Sequence, residues 1–137
     1  MPDANDHTWF LRDFIETNCL HVIAEVGVYR GSLCRLLMTG PCVRMIREYW
    51  AVDKWSVPDM PQEMFREKEG DPEWWQNNYV KLLRFMMYYP QVRVARLESC
   101  EAARKLFPDE YFDLVYIDSN HLFDHVVRDL GCWCFIR

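Results

Sequence analysis

The stretch Val22-Ile23-Ala24-Glu25-Val26-Gly27-Val28-Tyr29-Arg30-Gly31 joins an apolar run to two glycines spaced G-x-x-x-G, and Ser32-Leu33-Cys34-Arg35-Leu36-Leu37-Met38 then opens a helical pattern. Residues 22–28 hold too many apolar side chains in a row for one face to meet water, which suits a central strand of a parallel sheet. At a strand, glycine turn and helix N-terminus, backbone N–H groups point outward and glycine lets a ligand approach the main chain closely. This is the usual place for a nucleotide-like ligand.

Working outward, the pattern alternates. His7–Asn18 reads as an amphipathic helix with Asp6 as its N-cap, and Ser32–Thr39 as a helix stopped by Gly40-Pro41. Tyr49–Asp53 is a short strand. Ser56–Asp71, charged and proline-bearing, reads as a lid-like loop, and Pro72–Tyr89 as a helix ended by Pro90. Val92–Leu97 and Phe112–Asp118 are strands, while Cys100–Phe107 and Leu122–Trp133 are helices. The expected fold is α/β: a Rossmann-like three-layer sandwich around a mostly parallel sheet of about four strands with right-handed crossovers, one domain over 1–137. Ligands of such sheets sit beyond the carboxyl ends of the strands, where Gly27–Gly31, Asp53 and Asp118 all fall.

Composition narrows the choices. Half of the 137 residues are hydrophobic and 15% aromatic, enough for a packed core rather than disorder. A net charge of −5 without a basic cluster argues against nucleic acid. No apolar run approaches a membrane span, and the start Met1-Pro2-Asp3-Ala4-Asn5-Asp6 is unlike a signal peptide, so a cytoplasmic protein is expected. Cys19, Cys34, Cys42, Cys100, Cys132 and Cys134 show no C-x-x-C pair and read as free thiols, mostly core filler.

Several residues carry chemistry. Glu25 sits in an apolar run, where a carboxylate needs backbone N–H groups of the turn or a cationic ligand group. Asp53 follows the glycine turn by about twenty residues, where an acid accepts ribose hydroxyls or caps a turn. Beside it are Lys54 and Trp55, the latter either stacked on a purine or simply packed. Ser99 suits an N-cap, an adenine contact or both, with Ala102 at the capping-box position. Asp118-Ser119-Asn120-His121 is the most catalytic-looking cluster. His121 is a general base, a partner of Asp118 around a divalent ion, or a cap of the next helix. Two ligands fall short of a metal site.

Glu25-Val26-Gly27-Val28-Tyr29-Arg30-Gly31, Asp53, Ser99 and Phe112-Asp113-Leu114-Val115-Tyr116-Ile117-Asp118 with His121 resemble class I S-adenosylmethionine-dependent methyltransferases. The nearest branch holds the macrocin-type and catechol-type O-methyltransferases of small molecules. The resemblance runs from Ile23 to Trp133. It implies that Glu25, Gly27, Tyr29 and Gly31 surround the methionine part of the cofactor. It places Asp53 on the ribose, with Lys54 and Trp55 beside the adenine and Ser99 at its edge. Asp118 would lie near the reacting methyl, and His121 would face the acceptor or a magnesium ion. The reaction implied is in-line methyl transfer to a small-molecule acceptor, a hydroxyl above all.

Family members continue into a fifth parallel strand and an antiparallel pair, whereas this chain stops at Arg137. The expectation is therefore a C-terminally truncated domain with an open sheet edge, through which copies of the chain could associate as a homo-oligomer. A non-catalytic cofactor- or partner-binding module is the second reading. A nicotinamide-dependent dehydrogenase is the third, disfavoured because G-x-G-x-x-G spacing and a Tyr/Lys pair are missing.

Overall fold

The computed structural model describes residues 6–118 and 123–134. Its strands β1 (Val22–Val26), β2 (Glu48–Asp53), β3 (Val92–Arg96) and β4 (Leu114–Ile117) form one parallel sheet in the order β3-β2-β1-β4. Its helices are α1 (Asp6–Asn18), α2 (Ser32–Met38), α3 (Pro72–Met86), α4 (Ser99–Leu106) and α5 (Phe123–Trp133). The Rossmann-like α/β reading holds. β1 is interior, with four of its five residues buried, which is why its sequence runs apolar instead of alternating.

The period-2 alternation of β1 assigns the two faces. Ile23 joins a core with Leu11 and Ile15 of α1, Leu33, Cys34 and Leu37 of α2, and Trp75 and Leu82 of α3. Ala24 and Val26 join the opposite core with Ala102 and Ala103 of α4, Phe107 and Trp133. The chain therefore winds β1-α2-β2-α3-β3 over one face, then crosses by α4 to β4 on the far side of β1. The strand order reverses between β1 and β4, and that is the switch point. On its outer side β4 pairs with no strand among the described residues.

Element ends differ from expectation for identifiable reasons. β1 stops at Val26, because Gly27 turns the chain at φ 91°, although its N–H still bonds Val52 O at 2.8 Å. Asp71 caps α3 through the Glu73 N–H at 2.9 Å, and the helix ends at Met86 in tight turns ahead of Pro90. The segment expected as a bare loop carries two 3-10 turns, Gln62–Met64 and Glu67–Gly70, and a third, Pro41–Arg44, follows α2. α4 begins at Ser99, and its cap is Glu98, which accepts from the Glu101 N–H at 3.0 Å.

The cysteine reading needs one correction. Cys34 and Cys42 are buried free thiols as expected, but Cys100 of α4 and Cys132 of α5 form a disulfide across Cα atoms 5.3 Å apart. Spacing in sequence could not show it, since the two meet only when α4 and α5 pack side by side. Arg128 of α5 adds an ion pair to Glu98 at 2.8 Å.

Two outcomes are expected. Thiol titration in denaturant should find four reactive cysteines of six before reduction and all six after it. Reduction should also lower folding stability by ~2–4 kcal/mol; six reactive thiols in the unreduced protein would contradict the bridge. Gly31 holds φ +80°, and a Cβ there would stand 3.2 Å from Leu82 Cδ1. Gly31→Ala should therefore cost ~1–3 kcal/mol in urea denaturation.

Candidate functional site

The glycine turn is organised by Asp53. Its Oδ2 accepts the N–H of Val28 at 2.8 Å and of Tyr29 at 2.9 Å, while Oδ1 accepts the N–H of Trp55 at 2.8 Å. Tyr29 and Trp55 both hold positive φ, 61° and 48°, a conformation costly for large side chains. Their charge-assisted N–H bonds to the carboxylate compensate that cost. The N–H groups of Val28 and Tyr29, which the sequence offers to a ligand, are thus occupied by the chain's own acid. Each carboxylate oxygen has about two lone-pair sites, so one position on Oδ1 remains for a ligand hydroxyl.

Glu25 was expected to tie the turn's backbone or a ligand. Instead it accepts the Tyr49 hydroxyl at 2.6 Å, buried in the interior face between β1 and β2. Tyr49 is the residue that sequence reasoning missed. Its signal was there: β1 and β2 pair with Ile23 beside Tyr49 and Glu25 beside Ala51, so Tyr49 and Glu25 are diagonal neighbours on one face. Burial lifts the Glu25 pKa from 4.5 to about 8; the Tyr49 hydrogen bond opposes this, and the charges of Asp53 and Asp118 add to it. The carboxyl is therefore mostly protonated at neutral pH.

Asp118 is exposed at the end of β4, where its N–H bonds Val26 O at 2.8 Å. The carboxyl ends of β1, β2 and β4 thus bring Glu25, Asp53 and Asp118 within electrostatic reach of one another. His121, with Ser119 and Asn120, lies outside the described residues.

The remaining candidates divide. Tyr29 is half-buried, packed edge-on against Trp74 and Trp75, and its hydroxyl donates to Glu69 at 2.8 Å, which fastens the Glu67–Gly70 turn to the glycine turn. Lys54 is exposed, and its carbonyl accepts from Arg96 Nε at 3.1 Å. Trp55 is 1% exposed, stacks at a tilt on Tyr79, and donates from Nε1 to Tyr29 O at 3.1 Å. Of the two alternatives, the structure shows the packed one, and Trp55 also lines a cavity between the ends of β2 and β3. Ser99 does not cap α4. Its Oγ accepts the Trp133 indole N–H at 2.8 Å, leaving its own proton to donate.

Between the ends of β2 and β3 opens a cavity of about 630 Å³, lined by Trp55, Ser56, Val57, Pro72, Gln76 and Arg96 among others. Arg96 walls it by donating to Trp55 O at 3.2 Å and to Gln76 Oε1 at 2.8 Å. The one grouping of metal-type ligands among the described residues is Glu98, Cys100 and Asp129. It does not suit a cation, because Cys100 is in the disulfide and Glu98 already faces Arg128 and the Glu101 N–H.

No family profile matches the chain, and no curated protein does. Among solved structures it is similar to a Staphylococcus aureus protein provisionally named a caffeoyl-CoA O-methyltransferase, with a TM-score of 0.62 at 12% identity. The match covers 93% of this chain and 50% of that one, so the chain spans half that protein's length. At this identity the likeness is one of fold. Among the described residues no helix is long and apolar enough to cross a membrane.

Glu25 predicts a pH dependence. Its folded pKa, about 8, lies above the ordinary 4.5, so the native state binds more protons than the unfolded chain between those values. Its contribution is therefore full below about pH 4.5 and is lost as pH rises through 8. Urea denaturation across this range should show stability falling by up to ~1.4 kcal/mol per pH unit. Glu25→Gln should remove that slope, and Tyr49→Phe should extend it to higher pH. An unchanged slope in Glu25→Gln would disprove the assignment.

Proposed function

We propose that this chain binds S-adenosylmethionine over the carboxyl ends of β1, β2 and β4 and serves methyl transfer to a small-molecule acceptor, a hydroxyl in the first instance. The observation that carries this reading is the convergence of Glu25, Asp53 and Asp118 at the switch point of a parallel sheet. A cluster of acids there is suited to a ligand with positive charge on sulfur and nitrogen rather than to a bare phosphate. The methyltransferase name of the structural neighbour supports the same reading at the level of fold.

The residues present fit the cofactor. Gly27, at φ 91°, turns the chain beside Glu25 with no side chain of its own, and Tyr29 and Gly31 complete the turn. The free lone-pair position on Asp53 Oδ1 suits one ribose hydroxyl. The cavity between β2 and β3 suits the adenine, with the Lys54 and Trp55 backbone on one side and Ser99 beginning the helix after β3. Bound there, S-adenosylmethionine would supply an activated methyl group and a neutral thioether leaving group. Glu25 and Asp118 would hold its cationic end and so orient the methyl group toward the acceptor, orientation being a large source of rate in such a transfer. Asp118, with His121, takes the acceptor's proton. A magnesium ion at Asp118 belongs to this proposal as a variable to be tested.

Calorimetry with S-adenosylmethionine and S-adenosylhomocysteine, with and without magnesium, tests the reading. Saturable binding is expected. Near pH 7.5 the sulfonium form should release more protons, measured in buffers of different ionisation heat, because its charge favours ionised Glu25. A 2′,3′-dideoxy analogue should bind about tenfold more weakly, a difference of ~1.4 kcal/mol, if Asp53 reads the ribose. Absence of heat from both ligands, with the protein folded, would sink the proposal. Binding without turnover over a broad acceptor panel would instead select a non-catalytic module, with the outer edge of β4 as its partner surface or the seat of a homo-oligomer.

A further inference from the structure

Between α3 and the glycine turn with α2 lies a second cavity of about 420 Å³, lined by Arg30, Ser32, Arg35, Asn78, Lys81 and Arg84. It shares no lining residue with the cavity between β2 and β3, and none of Glu25, Asp53 and Asp118 lines it. Leu82, fully buried, holds α3 against the turn, with Cδ1 3.2 Å from where a Gly31 Cβ would stand.

The charge here is inverted. Four of the six lining residues are cations and none is an acid, in a chain where acids outnumber Lys and Arg by 21 to 16. Among the described residues none of the four stands in an ion pair. Like charges gathered around one cavity repel each other unless an anion joins them. Part of the array is also held in position. Arg35 Nη1 donates to Arg30 O at 2.8 Å, and its guanidinium lies over the Phe85 ring, 5.4 Å from the centroid. Asn78, 8% exposed, donates from Nδ2 to Trp74 O at 3.0 Å, which leaves its second amide hydrogen for the cavity. Lys81 and Arg84 continue the same side of α3 at intervals of three residues.

We propose that this cavity binds the phosphate or diphosphate group of a phosphorylated small molecule. Arginine forks match phosphoryl oxygens two at a time, and lysine adds a point charge. A volume of 420 Å³ exceeds one phosphate and suits a diphosphate or a phosphate with its attached group. The inference does not depend on the cofactor site, since it uses different side chains and the opposite charge.

Calorimetry with inorganic pyrophosphate and inorganic phosphate, at low and physiological salt, is the test, with Lys81→Gln/Arg84→Gln as the variant. Both positions are exposed, so the variant should fold. Pyrophosphate should bind saturably, more tightly than phosphate, and more weakly as salt rises. The variant should bind it at least tenfold more weakly, keep its affinity for S-adenosylhomocysteine, and melt no lower than the parent in phosphate-free buffer. No saturable pyrophosphate binding, or equal binding by the variant, would overturn the proposal. So would binding to phosphatidylglycerol vesicles that pyrophosphate fails to displace, which would mark a lipid surface as the source of the phosphoryl group. Pyrophosphate binding by a protein that ignores S-adenosylhomocysteine would uphold this inference while removing the cofactor reading.

Discussion

The carboxylate of Asp53 is the constraint on which the rest of the site depends. Three backbone N–H groups, from Val28, Tyr29 and Trp55, converge on it. Two of those donors belong to residues with positive φ, which would not hold that conformation unassisted. With Asp53 in place, the turn after β1 and the chain after β2 are locked to one another. Tyr29 is then aimed at Glu69 and Trp74, and Trp55 beneath Tyr79. A nucleotide-type turn that elsewhere would wait for a ligand is here already braced from within.

That bracing shapes the electrostatics. Asp53 sits close enough to Glu25 to discourage its ionisation, and Asp118 does so from the other side of the switch point. Glu25 answers by holding a proton and accepting from Tyr49. The site is thus poised: a cationic ligand would turn a protonated carboxyl into a counter-charge. On either side of Gly31 the sign reverses, and Arg30, Arg35, Lys81 and Arg84 face one cavity. One glycine turn thus lies between a group of acids and a group of cations, and the two ligands we propose carry opposite charge to match.

Much of the fold was legible in the chain because it rests on local patterns. The apolar run at 22–26, interrupted only by Glu25, marks an interior strand, Pro72 after Asp71 marks a helix start, and Pro90 limits its end. Strand ends carrying Gly27, Asp53 and Asp118 fall together because parallel strands share a direction. The errors are equally physical. Ser99 looks like a cap, but Glu98 is one residue earlier and its longer side chain reaches the same helix end. Trp55 reads as either stacked on a purine or packed, and only the contact with Tyr79 shows that it is packed.

By itself the sequence determined the element order, the parallel sheet and the set of acids at its carboxyl edge, since periodicity and chain direction are written locally. Only the tertiary structure decided what those acids do. It gave Asp53 the backbone of the turn and left Tyr49 for Glu25. It also closed Cys100 onto Cys132 and brought Arg30 and Arg35 to one cavity with the distant Lys81 and Arg84. Each is a contact between residues far apart in the chain. Such pairings depend on register and helix packing, and neither composition nor spacing encodes them.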